Sequence, residues 1–216
     1  MMSIHKLRLI MIYAFLIYPQ VAGAAAQNSL EMTDMAQECF RSANFVPVFE
    51  TPANVELNPC VIAIRNNNLA NNDLAATYSN QGILLSSRGE HAAAIISHTQ
   101  AIDLLENSED SGILESIYIN RGNTYFAMQE YEAANADYSR VILLSAGTQH
   151  QALYNRALVF KALGYTKRAL EELEHALLLA PDNLRYLASH SLLRTDNSMP
   201  KSGSETAWEK PGEYLD

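Results

Sequence analysis

Cysteine, tryptophan and basic charge are all scarce in this chain, and each scarcity closes off a class of function. Of 216 residues only two are cysteine and one is tryptophan, and 15 Lys and Arg stand against 24 Asp and Glu for a net charge of −9. No Lys/Arg cluster interleaved with aromatics interrupts that acidic balance, so a nucleic-acid partner would be repelled over most of the surface. The two cysteines are not in a C-x-x-C arrangement, and no Gly-rich phosphate loop or nucleophile motif is present. His91 and His98 stand seven residues apart rather than at the spacing of a zinc pair, and His98 reads as core. Glu171, Glu172, Glu174 and His175 read as the solvated face of a helix. The expectation is therefore a chain that is not an enzyme and uses no cofactor or metal.

Long apolar runs are missing too, apart from one near the start. Lys6 and Arg8 precede the run Leu9 to Tyr18, Pro19 breaks it, and Ala22-Gly23-Ala24 or Ala24-Ala25-Ala26 offers small residues for cleavage. The run falls well short of the ~20 residues that span a bilayer. This grammar predicts a cleavable signal peptide over 1–26, a periplasmic or secreted product, and no stable membrane span after cleavage. In such a compartment an even cysteine count favours a Cys39–Cys60 disulfide.

What the chain does have is repetition. Gly82, Gly122 and Ala157 form one set of small residues; Ala94, Ala134 and Ala169 a second; Ala101, Val141 and Ala176 a third. Every set steps by 40 residues and then by 35, so one supersecondary unit occurs three times with connections of variable length. Within the first unit, helical apolar spacing around Tyr78 to Leu85 breaks at Gly89, and a second stripe runs through Ala94, Ile95, His98, Ala101 and Ile102. The unit is thus a helical hairpin whose small residues let the two axes approach closely.

This pattern resembles the tetratricopeptide repeat, a helix–turn–helix unit. The second copy carries the resemblance through Tyr118, Gly122, Tyr125, Tyr131, Ala134 and Tyr138, and the third through Leu153, Ala157, Phe160, Gly164, Ala169, Ala176 and Pro181. The resemblance implies an all-α fold: three hairpins stacked as a short right-handed solenoid with capping helices at both ends. Domains are expected at 27–73 for an N-terminal disulfide-linked cap and 74–194 for the repeats with a C-terminal capping helix. The cap would hold one helix over about 29–41, an extended stretch at Phe45 to Phe49, and a second helix begun by Asn58-Pro59. Residues 195–216, rich in Ser, Pro, Gly, Lys and Glu, read as a disordered tail containing Trp208.

The resemblance also implies a concave groove lined by the first helix of each hairpin. Its residues here would be Ser79, Asn80, Ile83, Ile119, Asn120, Asn123, Phe126, Tyr154, Asn155 and Lys161. Asn recurs in register at Asn80, Asn120 and Asn155, with Arg121 and Arg156 following two of them. That repetition resembles the asparagine ladder with which some members hold a peptide backbone, since an amide both donates and accepts; helix–helix hydrogen bonding is the other use of Asn there. Members that clamp the carboxylate terminus of chaperones use cations at positions occupied here by Ser79, Gln151 and Asn155, so that clamp is absent. The implied function is an exported adaptor binding an extended, largely uncharged peptide segment of an envelope protein. The alternative is a self-associating structural module, a homo-oligomer with no groove ligand.

Overall fold

The computed structural model describes residues 34–44, 57–65, 69–105, 111–144 and 149–198, and among them every regular element is a helix. Residues 34–44 form α1, followed by α2 (Asn58–Arg65), α3 (Asn71–Ser87), α4 (His91–Leu105), α5 (Ser111–Ala127) and α6 (Tyr131–Leu144). Then come α7 (Gln149–Ala162), α8 (Thr166–Leu179) and α9 (Leu184–Ser198). The chain divides into two compact units between Ser145 and Ala146, so the boundary falls inside the span 74–194. The signal region, the stretch 45–49 and Trp208 lie outside the described residues. Helix α9 runs to Ser198, four residues past the end assigned from composition.

The hairpins α3–α4, α5–α6 and α7–α8 share one turn. In the first, Gly89 (φ 79°) donates to the Ser86 carbonyl and Glu90 to the Leu85 carbonyl, the paired closure of a left-handed helix terminus. The second repeats it with Gln129 donating to Phe126 and Glu130 to Tyr125; the third with Gly164 donating to Lys161 and Tyr165 to Phe160. Gly89 and Gly164 take the positive φ without a side-chain penalty, whereas Gln129 takes it at φ 62° with a Cβ present. A break in apolar periodicity is visible at Gly89 in the sequence; at Gln129 nothing local marks the turn, and only the repeat does.

All nine small residues that define the repeat are buried. The seams they form are closed by the second helix. A Cβ placed on Gly82 would lie 2.5 Å from Cε1 of His98, and one on Gly122 would lie 2.7 Å from Cε1 of Tyr138. In the third hairpin the corresponding residues, Ala157 and Leu173, are both fully buried. A flat ring over glycine in two hairpins thus gives way to an aliphatic side chain over alanine in the third.

In the first unit the two hairpins pack through Ala75, Ala101, Leu105 and Ile117, with Tyr78, Ile102 and Ile113 against them. At the other side of α3, the Cys39–Cys60 disulfide ties α1 to α2 with their Cα atoms 4.8 Å apart. The bridge forms a small core with Ala43 and Leu84, with Ile83 packed against it, and Cys39 Sγ lies 3.7 Å from the Thr77 carbonyl. An exposed apolar face at the end of a hairpin stack is thereby covered. The second unit has α7–α8 followed by α9, whose Asn183 side chain accepts from the Arg185 and Tyr186 amides to start the helix.

Candidate functional site

One layer of each seam is polar, and it repeats as faithfully as the apolar ones. Ser97 donates to Gln81 Oε1 at 3.0 Å in the first hairpin; Arg121 donates to both carboxylate oxygens of Asp137 at 2.9 and 2.8 Å in the second; Arg156 donates to Glu172 Oε1 at 2.6 Å in the third. Each pair is separated by 16 residues, the distance that carries one helix through the turn to its facing neighbour. Glu172 therefore differs from the reading of 171–175 as solvated surface: it faces Arg156 across the seam, while Glu171, Glu174 and His175 are exposed. The signal for it was available in the constant separation, but helical periodicity alone could not show it.

Arg121 does more than close its own seam. Its Nη1 donates to Thr99 of the preceding hairpin at 3.1 Å, and the guanidinium stands 5.5 Å from the Tyr118 ring centroid and 5.9 Å from that of Tyr125. Burial by itself would lower its pKa; the hydrogen bonds and charge of Asp137, with smaller help from the two tyrosines, outweigh burial and raise it. Tyr138 donates to Asn123 Oδ1 at 2.8 Å, and its phenol is pushed upward by burial and then by the Asp137 charge.

His98 is fully buried over Gly82, and neither ring nitrogen has a hydrogen-bond partner. Burial first, and the charge of Arg121 second, lower its pKa to about 4. The ring is thus held neutral and packed as an apolar plate, as expected of a core histidine.

The residues expected to line the groove separate into several environments. Ser79 and Ile119 are both buried; between α3 and α5, Asn120 donates to Ser79 Oγ at 3.3 Å and Thr124 to Ser86 Oγ at 3.3 Å. Ile83 faces the disulfide core. Asn80 and Asn120 are half-buried, Asn123 is exposed, and the half-buried Phe126 meets Tyr131 edge-on at 5.6 Å. In the second unit Asn155 is half-buried and Lys161 exposed. Tyr154 there is buried under α9: its ring stacks on Tyr186 with centroids 4.5 Å apart, and its hydroxyl lies 3.3 Å from Ser189 Oγ. Tyr186 in turn meets His150 Nδ1 at 3.0 Å, and burial, then Tyr154, raises its phenol against a lowering by Arg185. Among the described residues no group of three or more His, Cys, Asp or Glu side chains could hold a metal ion, and no helix is long and apolar enough to cross a membrane.

Hairpins joined by a glycine-type turn, with small residues at the seam and a first helix facing the next hairpin, define a helical-repeat protein. The tetratricopeptide repeat profile matches residues 115–148 and 150–183, so the second and third hairpins are tetratricopeptide repeats. The mouse protein unc-45 homolog B is 28% identical over 106 residues, which is 49% of this chain; the chain spans 11% of that relative's length. A crystal structure of MamA superposes over 80% of this chain and 84% of its own at TM-score 0.58 and 19% identity. The first such domain of Spaghetti (RPAP3), solved bound to the HSP90 peptide SRMEEVD, covers 58% of this chain and 94% of its own at TM-score 0.51 and 19% identity. The Arabidopsis OM64 domain covers 59% and 99% at TM-score 0.52 and 21% identity.

Proposed function

We propose that this chain is an exported adaptor whose first helices bind an extended, uncharged segment of an envelope protein. The observation that supports it most is the withdrawal of charge from those helices. Arg121 is spent on Asp137 and Thr99, and Arg156 on Glu172. A peptide carboxylate would have to compete with those carboxylates for the same guanidiniums, and two desolvated acids would go uncompensated. Around Arg121, α3 and α5 carry instead the uncharged Asn80, Asn120, Asn123 and Phe126, half-buried or exposed; Asn120 already donates to Ser79 and Asn123 accepts from Tyr138, and an amide has more than one donor and acceptor position. An RPAP3 domain of the same fold binds a peptide, and the reading here keeps the binding mode while changing the chemistry of the ligand.

The test is a crosslinking pull-down from envelope extract, followed by titration of the captured segment as a synthetic peptide. Replacing Asn80, Asn120 and Asn155 together by Ala should weaken binding by about tenfold to about two thousandfold, at about 0.5–1.5 kcal/mol per hydrogen bond lost. Circular dichroism verifies that the fold survives the loss of the Asn120–Ser79 contact. A folded triple variant that binds at wild-type affinity defeats the proposal.

A further inference from the structure

Helix α9 occupies the place of the first helix of a fourth hairpin. Tyr186 and Leu193 are buried on the preceding hairpin as Ile117 and Thr124 of α5 are. His190 reaches Glu174 at 3.4 Å, the α8–α9 counterpart of the Thr99–Arg121 contact between α4 and α5. In that register Ser191 falls where Gly82, Gly122 and Ala157 stand, and Leu187 where Tyr78, Tyr118 and Leu153 stand. Those residues lie on the face that each hairpin's second helix covers. On α9 that face is bare at Leu184, 80% exposed, at Leu187, 43% exposed, and at the exposed Ser191, and the exposure runs on through Ala188 and Leu192, 54% exposed, at the positions that Ser79 and Ile83 hold in α3. A helix apolar on both sides belongs inside an assembly.

We infer that the exposed stripe of α9 pairs antiparallel with α9 of a second copy of this chain, about a two-fold axis near Ala188 and Ser191. Three hairpins show what such a seam takes: a bulky residue over a small one, as His98 sits over Gly82 and Tyr138 over Gly122. The α9 stripe carries both halves of that fit, leucines and small residues, which is the self-complementarity a two-fold interface requires. No charged residue lies within the stripe of Leu184, Leu187, Ala188, Ser191 and Leu192, so the chain's net charge of −9 is not brought together at the contact. At the adjoining end of α8, Leu178 and Leu179 are exposed as well. The five leucines leave on the order of 500 Å² uncovered per copy, more than half of the ~800 Å² each partner gives to a standard interface. This inference does not depend on the peptide-binding reading.

Sedimentation velocity of the full chain over a dilution series tests it. Wild type should sediment as a species of twice the mass of one chain, and L187E/L192E as a monomer, with the dissociation constant raised at least ~100-fold by the buried, unpaired carboxylates. Its far-UV circular dichroism should be unchanged, because both leucines are exposed in the single chain; should that variant lose helicity, S191R replaces it. Replacing Asn80, Asn120 and Asn155 by Ala should leave the dimer intact. A wild-type chain that is monomeric throughout, or a folded L187E/L192E or S191R chain that remains a dimer, overturns the inference; in the monomeric case the seam is left for a helix of another protein.

Discussion

Exchanging the seam of the first hairpin for that of the third tests the packing account most sharply. The perturbation is G82A alone, H98L alone, and the two combined, which installs the Ala157/Leu173 pair. In an ordinary helix interior Gly→Ala gains about 1 kcal/mol from propensity. Here the new Cβ arrives 2.5–2.7 Å from Cε1, Nε2 and Nδ1 of a ring that is itself fully buried. Overpacking of that kind costs ~1–3 kcal/mol, so G82A should lose roughly 1 kcal/mol net despite its better propensity. H98L removes both the clash and two buried nitrogens without partners, each of which costs about 1–3 kcal/mol to bury. In the H98L background G82A should therefore become stabilising, with a coupling between the sites of about 2 kcal/mol.

The same set of variants carries a pH signature. His98 titrates near 6.5 in the unfolded chain and about 4 in the folded one, so between those values the unfolded state takes up a proton that the folded state refuses. Its penalty is absent well above pH 6.5, grows as pH falls, and is complete below the folded value at about 3 kcal/mol. Urea unfolding followed by far-UV circular dichroism at about pH 7.5, 5.5 and 4.5 reads both effects. Loss of stability between the first and last pH should be smaller in H98L by nearly that amount. A G82A chain at least as stable as wild type, or parallel pH dependence in wild type and H98L, would refute the reasoning.

D137A should cost about 3 kcal/mol, less than a fully buried pair, because Arg121 keeps Thr99 and the two tyrosine faces. R121Q/D137S, which imports the neutral Gln81–Ser97 pair of the first hairpin, should recover most of that loss in the same urea assay; a double variant as unstable as D137A would show that the seams are not interchangeable. Reducing the Cys39–Cys60 bridge, which closes a loop of 21 residues' separation, should cost roughly 3 kcal/mol in the chain-entropy account. Free-thiol alkylation without reductant, read by mass spectrometry, should find neither cysteine available, and two alkylated thiols would remove the bridge from the native protein.

The hairpins were legible in the sequence because their requirements are local and recur. A small residue at the seam and a turn seven residues later are constraints that each copy must satisfy by itself, so Gly82, Gly122 and Ala157 announce the register three times over. The disulfide was legible for a different reason: two cysteines leave only one intramolecular pairing. Which polar residues belong to the seam was not legible, because Arg121 and Arg156 look the same on a helical wheel whether they face a ligand or a facing helix. Their partners, Asp137 and Glu172, lie on the second helix, and only the antiparallel packing brings them within 3 Å. Likewise Tyr154 reads as a groove aromatic until α9 is folded down and Tyr186 stacks upon it. Repetition along the chain by itself determined that this is a helical-repeat protein and where each hairpin turns. Only the tertiary structure decided which side chains remain for a partner, because availability is what is left after neighbouring helices have taken their share of hydrogen bonds and apolar surface.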